Sequence, residues 1–372
     1  MVDYFIKIVE QKTGEELSRL QIAVLKGAYE NKSYKQIANL NGYGADHIRH
    51  VGSDLCELLS NCFGRAVNKK NLKSIIKIAE KDLFLKKQNM PELEIPTGIV
   101  EINSRFYIER KEIELLCLKT LSKKGGLVKI KAPPKMGKSS LMMRIIRLAT
   151  NCQNIYLNLE LADGDTLSNL NRLLRWFSSS VSRHLKLPSK IDEYWDNDYG
   201  SKSSCDDYFE EYLLAKDDRP LILAIDKLDV LFEKPVIANE FLSLLRAWHE
   251  KSKIDSKWNK FRLILAYEPN PLSLENNNSP LSVGETISEL EFSANSVFNL
   301  TNKHGLDWSK AEVELLMNKI GGHPYLVRQA LYDIATKKIN LNEFLELDLK
   351  TKEPYKKCLM FDSTQERLNT FS

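Results

Sequence analysis

The run Ala132-Pro133-Pro134-Lys135-Met136-Gly137-Lys138-Ser139 has the residue types and spacing to hold phosphate. It follows the Walker A pattern except at the first glycine, where Ala132 stands. That chemistry needs a tight loop whose backbone N–H groups converge on an anion and which ends on a helix N-terminus. Gly137 allows close backbone approach, Lys138 is placed to reach the β- and γ-phosphates, and the Ser139 hydroxyl to bind Mg²⁺. Lys135, Met136 and Ser140 complete the candidate loop, and Pro133-Pro134 favour a fixed backbone despite the missing glycine. A Gly-Lys-Ser triplet at a helix start also arises by chance. Here residues 126–131 before it predict a strand and 139–150 after it a helix, the context that phosphate binding requires.

A second half of such a site is an apolar strand ending in aspartate. Leu221-Ile-Leu-Ala-Ile225 followed by Asp226 supplies it, 88 positions after Lys138, and Asp226 would hold Mg²⁺ through water. A core strand ending in an ordinary Asp is the bland alternative. The next residue is Lys227, where many nucleoside triphosphatases place a glutamate that polarises the attacking water. A lysine serves as that base near neutral pH only if its pKa is strongly depressed. Asp229 is the substitute candidate, two positions further on.

These residues need a parallel sheet to carry them. Strands are predicted over 126–131, 154–159, 221–225 and 261–266, separated by helical stretches that include 167–185 and 236–251. The alternation predicts an α/β domain with a mainly parallel sheet covered on both faces. Ahead of it, 15–60 reads as short helices. Ser18 stands as a cap, Ser33 precedes the helical run 34–40, Asn41-Gly42-Tyr43-Gly44 reads as a break, and 45–60 as a helix with Ile48, Val51, Leu55, Leu58 and Leu59 on one face. That is the layout of a helix-turn-helix. The expected organisation is a helix-turn-helix domain with a basic extension over 1–90 and a linker over 91–104. An α/β core over 105–289, a helical segment over 290–348 and a polar tail over 349–372 follow.

Composition narrows the classes. Hydrophobic residues make up 43% and charged residues 28% of the 372, enough to bury a core. No run approaches the roughly 20 apolar residues of a membrane helix, and the N-terminus lacks a signal-peptide layout, so a cytoplasmic protein is expected. The six cysteines are scattered without a Cys-x-x-Cys pair, which argues against a disulfide framework or a zinc site. Net charge is only +4, but residues 1–90 hold 15 Lys/Arg against 10 Asp/Glu, leaving the remainder near −1. A basic N-terminal region on a near-neutral body points to nucleic acid, with a solvated lysine-rich face as the alternative.

With both motifs placed, the chain resembles a cyanobacterial-type family of AAA-like (STAND/Orc-like) P-loop ATPases that carry an N-terminal helix-turn-helix. Phe106-Tyr-Ile-Glu-Arg110 is similar to the box that opens such domains and helps form an adenine pocket. Lys135-Met-Gly-Lys-Ser-Ser-Leu141 is similar to the family's P-loop, and Gly321-Gly-His-Pro-Tyr-Leu-Val327 to its sensor-2-like motif. The resemblance implies an α/β P-loop sheet, an all-α (winged) helix-turn-helix domain and a helical C-terminal segment. It implies ATP and Mg²⁺ as ligands, with Arg110, His323 and Pro324 beside the nucleotide. Read alone, Gly321-Gly322-His323-Pro324 is a helix end, a turn and a new helix, with His323 as a cap. Arg328 is open between a phosphate-facing and a solvated position. Three departures fall on the hydrolysis side. Lys227 replaces the usual Walker B glutamate, Tyr267-Glu268-Pro269-Asn270 replaces a short polar γ-phosphate sensor, and relatives continue into a winged-helix lid. The expectation is a signalling or regulatory switch that binds ATP and ADP and hydrolyses ATP weakly. An oligomeric remodelling ATPase and a DNA-binding regulator with a relic nucleotide site are the alternatives.

If 45–60 is a recognition helix, Arg49 could read guanine and His50 a phosphate or base edge. Lys69, Lys70 and Lys73 behind it would supply phosphate contacts. Such domains also serve as protein adaptors, so DNA, a protein partner and a homo-oligomer all stay open.

Overall fold

The computed structural model describes residues 2–13, 16–78, 93–196, 198–269, 279–353, 355, 356 and 358. The end of the expected basic extension, the first two residues of the expected linker and most of the expected tail lie outside these residues. The chain divides into two compact units, Met1–Glu92 and Leu93–Ser372.

Every described element of the first unit is a helix: α1 (Val2–Thr13), α2 (Arg19–Tyr29), α3 (Tyr34–Asn41), α4 (Ala45–Phe63) and α5 (72–78). Ser18 and Ser33 each close a capping box, accepting from the Gln21 and Gln36 backbone N–H groups while those glutamines accept in return. Gly42 and Gly64 end α3 and α4 in the left-handed region, at φ 73° and 61°. Leu25, Ile37, Ile48, Leu55 and Leu59 are buried together, as the helical spacing requires. The first helix was not expected from the sequence. It is held by Phe5, which stacks on Phe63 with ring centroids 5.4 Å apart.

In the second unit α6 (Lys111–Leu121) precedes β1 (Leu127–Lys131), and α7 (Lys138–Leu148) follows the phosphate-type loop. After β2 (Gln153–Asn158) come α8 (Gly164–Leu167), α9 (Leu170–His184), α10 (Ile191–Tyr194) and α11 (Ser201–Asp207). Then β3 (Leu221–Asp226), α12 (Pro235–Ile254), β4 (Phe261–Tyr267) and β5 (Glu285–Ile287) complete the α/β part. The sheet order is β2-β3-β4-β1-β5, and every pairing is parallel. Period-2 alternation divides the strand residues between two cores. Leu223, Ile225, Leu263 and Leu265 face a layer with Phe177, Phe241 and Trp248 from α9 and α12. Ile222, Ala224, Ile264 and Ala266 face Cys117, Leu141 and Ile145 from α6 and α7.

A third core gathers α13 (Ala294–Lys303), α14 (Lys310–Ile320), α15 (Pro324–Ala335) and α16 (Leu341–Glu346) around Leu316, Val327 and Phe344. Phe106 and Ile108, which lie before α6 in sequence, pack into it. The helical segment is thereby fastened to the entry of the α/β part.

Three histidines of this unit, His249, His304 and His323, are pushed down to about 4, chiefly by burial. Each is neutral in the fold, whereas an unfolded imidazole titrates near ~6.5. The unfolded chain therefore binds more protons between those values. Stability should be complete above about pH 6.5 and fall as pH drops toward 4. Thermal melts at successive pH values check this, and a melting temperature unchanged from pH 7 to 5 would contradict it.

Candidate functional site

Strands β1, β3 and β4 end side by side because they are parallel neighbours, and this places the loop 132–139, Asp226 and Glu268 along one edge of the sheet. The loop holds its shape through two left-handed residues, Lys135 at φ 61° and Gly137 at φ 87°. Only at Gly137 is the residue type suited to that conformation. Ala132 needs no such freedom: its side chain is buried among Val128, Ile130 and Leu141, so the methyl group fills core space that a glycine would leave empty.

Lys138 is the first residue of α7 and is buried. Its Nζ donates to the carbonyl oxygens of Ala132 and Pro133, at 2.8 Å each, and lies 3.6 Å from Oε1 of Glu268. Burial pulls the ammonium below its ordinary value, while the Glu268 and Asp229 carboxylates oppose that shift. Asp226 is 1% exposed. The Tyr156 hydroxyl donates to its Oδ2 at 2.8 Å, and the Lys227 backbone N–H donates to its Oδ1 at 2.9 Å.

A cavity of about 670 Å³ opens over this edge. Lys135, Gly137, Lys138, Ser139 and Asp226 line it, with Arg110. Residues 94–101, Pro324, Tyr325 and Arg328 line it as well. The structure thus brings together most of the residues singled out in the second unit. The Arg110 guanidinium donates to the Leu290 carbonyl at 2.9 Å, and a Cβ on Gly137 would meet its Nη2 at 3.7 Å, so it stands beside the loop. The Lys135 ammonium sits 4.0 Å from the centre of the Tyr325 ring, which joins the loop to α15.

Four of the expected positions are used differently. The Met136 side chain is buried in the core with Leu141 and Ile145. Ser140 lines the cavity, but its Oγ accepts from the Val100 backbone N–H at 3.0 Å, so its hydroxyl anchors the segment in front of it. His323 is buried and caps α15, its Nδ1 accepting from the Leu326 N–H at 3.4 Å. Asp229 Oδ1 accepts from the Glu268 N–H at 3.0 Å, so its carboxylate secures the end of β4 and does not line the cavity.

Sequence reasoning missed two contributors and left a third, Arg328, open. Residues 93–104 were assigned to a linker, yet Glu94 to Glu101 line the cavity, held by Ser140 and by Arg328, whose Nη2 donates to the Glu94 carbonyl at 3.1 Å. Arg328 itself is buried. Its guanidinium lies 4.3 Å from the Phe106 ring centre, and Nε and Nη1 have no partner. Burial pulls it down to about 10. Glu268, the other one missed, is half-buried in the cavity wall, and burial pushes its carboxyl up against the opposing pull of Lys138. Lys227 stays charged: burial works against its ammonium, but the Glu160, Glu268 and Asp229 carboxylates outweigh that and hold it above the ordinary lysine value. Its Nζ lies 3.4 Å from Glu160 Oε1. It therefore cannot take a proton from water.

In the first unit the candidate DNA-reading side chains are largely engaged. Arg49 is paired with Asp46 at 2.6 Å on the exposed face of α4. The Lys69 ammonium lies 4.1 Å from the Tyr34 ring centre and that of Lys73 5.3 Å from the Tyr29 ring centre, since tyrosine faces attract cations. His50 and Lys70 remain exposed.

Among the described residues no helix is long and apolar enough to cross a membrane, and no group of three His, Cys, Asp or Glu side chains could hold a metal ion. No curated protein matches the chain in sequence. A Walker-type ATPase of Pyrococcus abyssi superposes with a TM-score of 0.51 at 16% identity, over 73% of this chain and 79% of that one. The Aeropyrum pernix ORC2 protein gives 0.42 at 16% identity, over 68% and 76%. A signal transduction ATPase with numerous domains (STAND) and a tetratricopeptide repeat sensor, from Pyrococcus horikoshii, gives 0.38 at 16% identity, over 70% of this chain and 35% of that one. Only the first exceeds 0.5, and at that identity it speaks to the fold alone. Residues 1–79 match the N-terminal helix-turn-helix of vWA-MoxR associated proteins, and residues 95–368 match the AAA-like domain family. The chain belongs to the AAA-like family of P-loop ATPase domains, preceded by a helix-turn-helix domain.

Proposed function

We propose that the unit from Leu93 onward binds Mg-ATP at the P-loop cavity and works as a nucleotide-dependent switch with weak hydrolysis, while the helix-turn-helix carries the output. The observation behind this reading is the convergence of Lys138, Ser139, Arg110 and Asp226 on one cavity at the carboxyl edge of a parallel sheet. Mg²⁺ binds proteins through one or two oxygen ligands and takes the rest from phosphate and water. One hydroxyl, Ser139, and one carboxylate, Asp226, fit that habit. When bound, the ion neutralises phosphate charge. The chain's own groups do the positioning: Lys138 and the loop N–H groups grip phosphate, and Tyr156 and the Lys227 N–H orient Asp226.

A switch needs two arrangements that the ligand tells apart. The cavity is walled by parts of different cores, the loop on the sheet side and α15 with Arg328 on the helical side. A ligand that touches both favours the arrangement in which they are closed. Hydrolysis is expected to be slow, below ~1 s⁻¹, because the residue after Asp226 is a charged lysine. Steady-state phosphate release measures this, and turnover well above that rate would favour an active remodelling ATPase instead.

For the output, the exposed residues of α4 include Asp46, Asp54 and Glu57 beside Arg49. That balance suits a protein partner better than a phosphate backbone. Duplex DNA is expected to bind this chain weakly at physiological salt. Anisotropy titrations check it: tight binding that falls steeply with salt would establish the DNA reading.

A further inference from the structure

We propose that Glu268 is the general base of the weak hydrolysis, taking the proton of the attacking water in place of the residue that follows Asp226. This rests on the Mg-ATP reading above. Strand β4 runs between β1, which leads into the loop, and β3, which ends in Asp226. The residue after β4 therefore emerges between the phosphate grip and the metal-facing carboxylate. Tyr267 pairs with Lys131 in register, so Glu268 is level with the start of the loop. Its Oε1 lies 3.6 Å from Lys138 Nζ, and its side chain is 22% exposed and lines the cavity. Lys138 marks where the outer phosphates are held, which puts this carboxylate beside the phosphorus that water must reach.

The other acidic groups nearby are committed elsewhere. Asp226 accepts from Tyr156 and from the Lys227 N–H. Glu160 faces the Lys227 ammonium and is half exposed. Asp229 holds the Glu268 backbone N–H, and so is a positioning residue for it. Burial also brings the Glu268 carboxyl upward, toward the range in which a base accepts a proton most effectively.

The step balances without any further reactant. A lone pair on the water oxygen forms the new bond to the γ-phosphorus, and the bond from that phosphorus to the bridging oxygen breaks, leaving its electron pair on ADP. One water proton passes to a Glu268 carboxylate oxygen and from there to solvent. Nothing is oxidised or reduced. With no nucleotide, Lys138 keeps Glu268 as a partner. A triphosphate competes for Lys138 and releases the carboxylate, which is consistent with a slow reaction.

The test compares the full chain with Glu268→Gln and Glu268→Asp, measuring Mg-ATP affinity by calorimetry and phosphate release under saturating ATP. Glu268→Gln is expected to bind Mg-ATP as tightly as wild type or more tightly, since a negative charge leaves the phosphate site, and to lose about 10²-fold in kcat. Glu268→Asp keeps the charge but withdraws it by one methylene, and should lose less. The proposal is overturned if Glu268→Gln keeps a rate within a factor of a few of wild type. Loss of affinity and rate together would also overturn it, making Glu268 a structural partner of Lys138. Wild type that binds Mg-ATP but never turns over removes the base while leaving the binding reading intact. Wild type that fails to bind Mg-ATP removes both.

Discussion

Lys138→Ala is expected to weaken Mg-ATP binding by about 3 kcal/mol, near a hundredfold, while leaving the fold in place. The change removes the charged donor from the phosphate site, and it also leaves Glu268 there without its counter-ion. A bound triphosphate would then face an uncompensated carboxylate, so the loss should exceed that of one hydrogen bond. The carbonyls of Ala132 and Pro133 lose their donor as well, but the open cavity lets water replace it. Circular dichroism should stay unchanged, and a calorimetric titration should show the loss of affinity. Wild-type affinity in Lys138→Ala would mean that nucleotide does not bind at this loop.

Gly322→Ala should produce the largest loss of stability among single glycine changes on the site side of the molecule, about 3 kcal/mol. A Cβ there would sit 2.3 Å from the Phe292 carbonyl oxygen and 3.0 Å from its nitrogen. That backbone cannot give way cheaply, because the Phe292 N–H donates to the Gly322 carbonyl at 2.7 Å. Phe292 also stands 5.0 Å from the Arg110 guanidinium and lines the cavity, so the shift should weaken ATP binding too. The control is Gly164→Ala, where a Cβ meets nothing within 4 Å and the effect should stay within about 0.5 kcal/mol. Thermal melts of the two variants decide it, and equal melting temperatures would contradict the close approach at Gly322.

The parts of the molecule that could be read in the sequence are those governed by local pattern. Apolar runs such as Leu221–Asp226 and Phe261–Tyr267 announced buried parallel strands, and Ser18 and Ser33 announced helix starts. The loop 132–139 was legible for the same reason, since its function depends on residues adjacent in sequence. The misses all depend on partners distant in the chain. Strand β5 has three residues and exists only because it pairs with β1. Residues 93–104 looked like a polar linker, and only the Val100–Ser140 and Glu94–Arg328 hydrogen bonds turn them into a cavity wall.

The same holds for single residues. Arg328 could not be placed until the Phe106 ring was seen beneath it. Glu268 read as a departure from a polar sensor, whereas strand order sets it beside Lys138, 130 positions away. Asp229 was the opposite case: a plausible carboxylate by spacing, occupied in the structure by a backbone N–H. The lysines behind the helix-turn-helix counted toward net charge, but Lys69 and Lys73 lie over tyrosine rings that composition cannot reveal.

Calorimetric titration of Mg-ATP into the intact wild-type chain decides whether the cavity over the sheet edge is a Mg-ATP site. The expected result is a saturable isotherm with one nucleotide per chain, accompanied by a rise in melting temperature as ligand accumulates. No binding heat and no ATP-dependent shift in melting, with the chain folded, would contradict it.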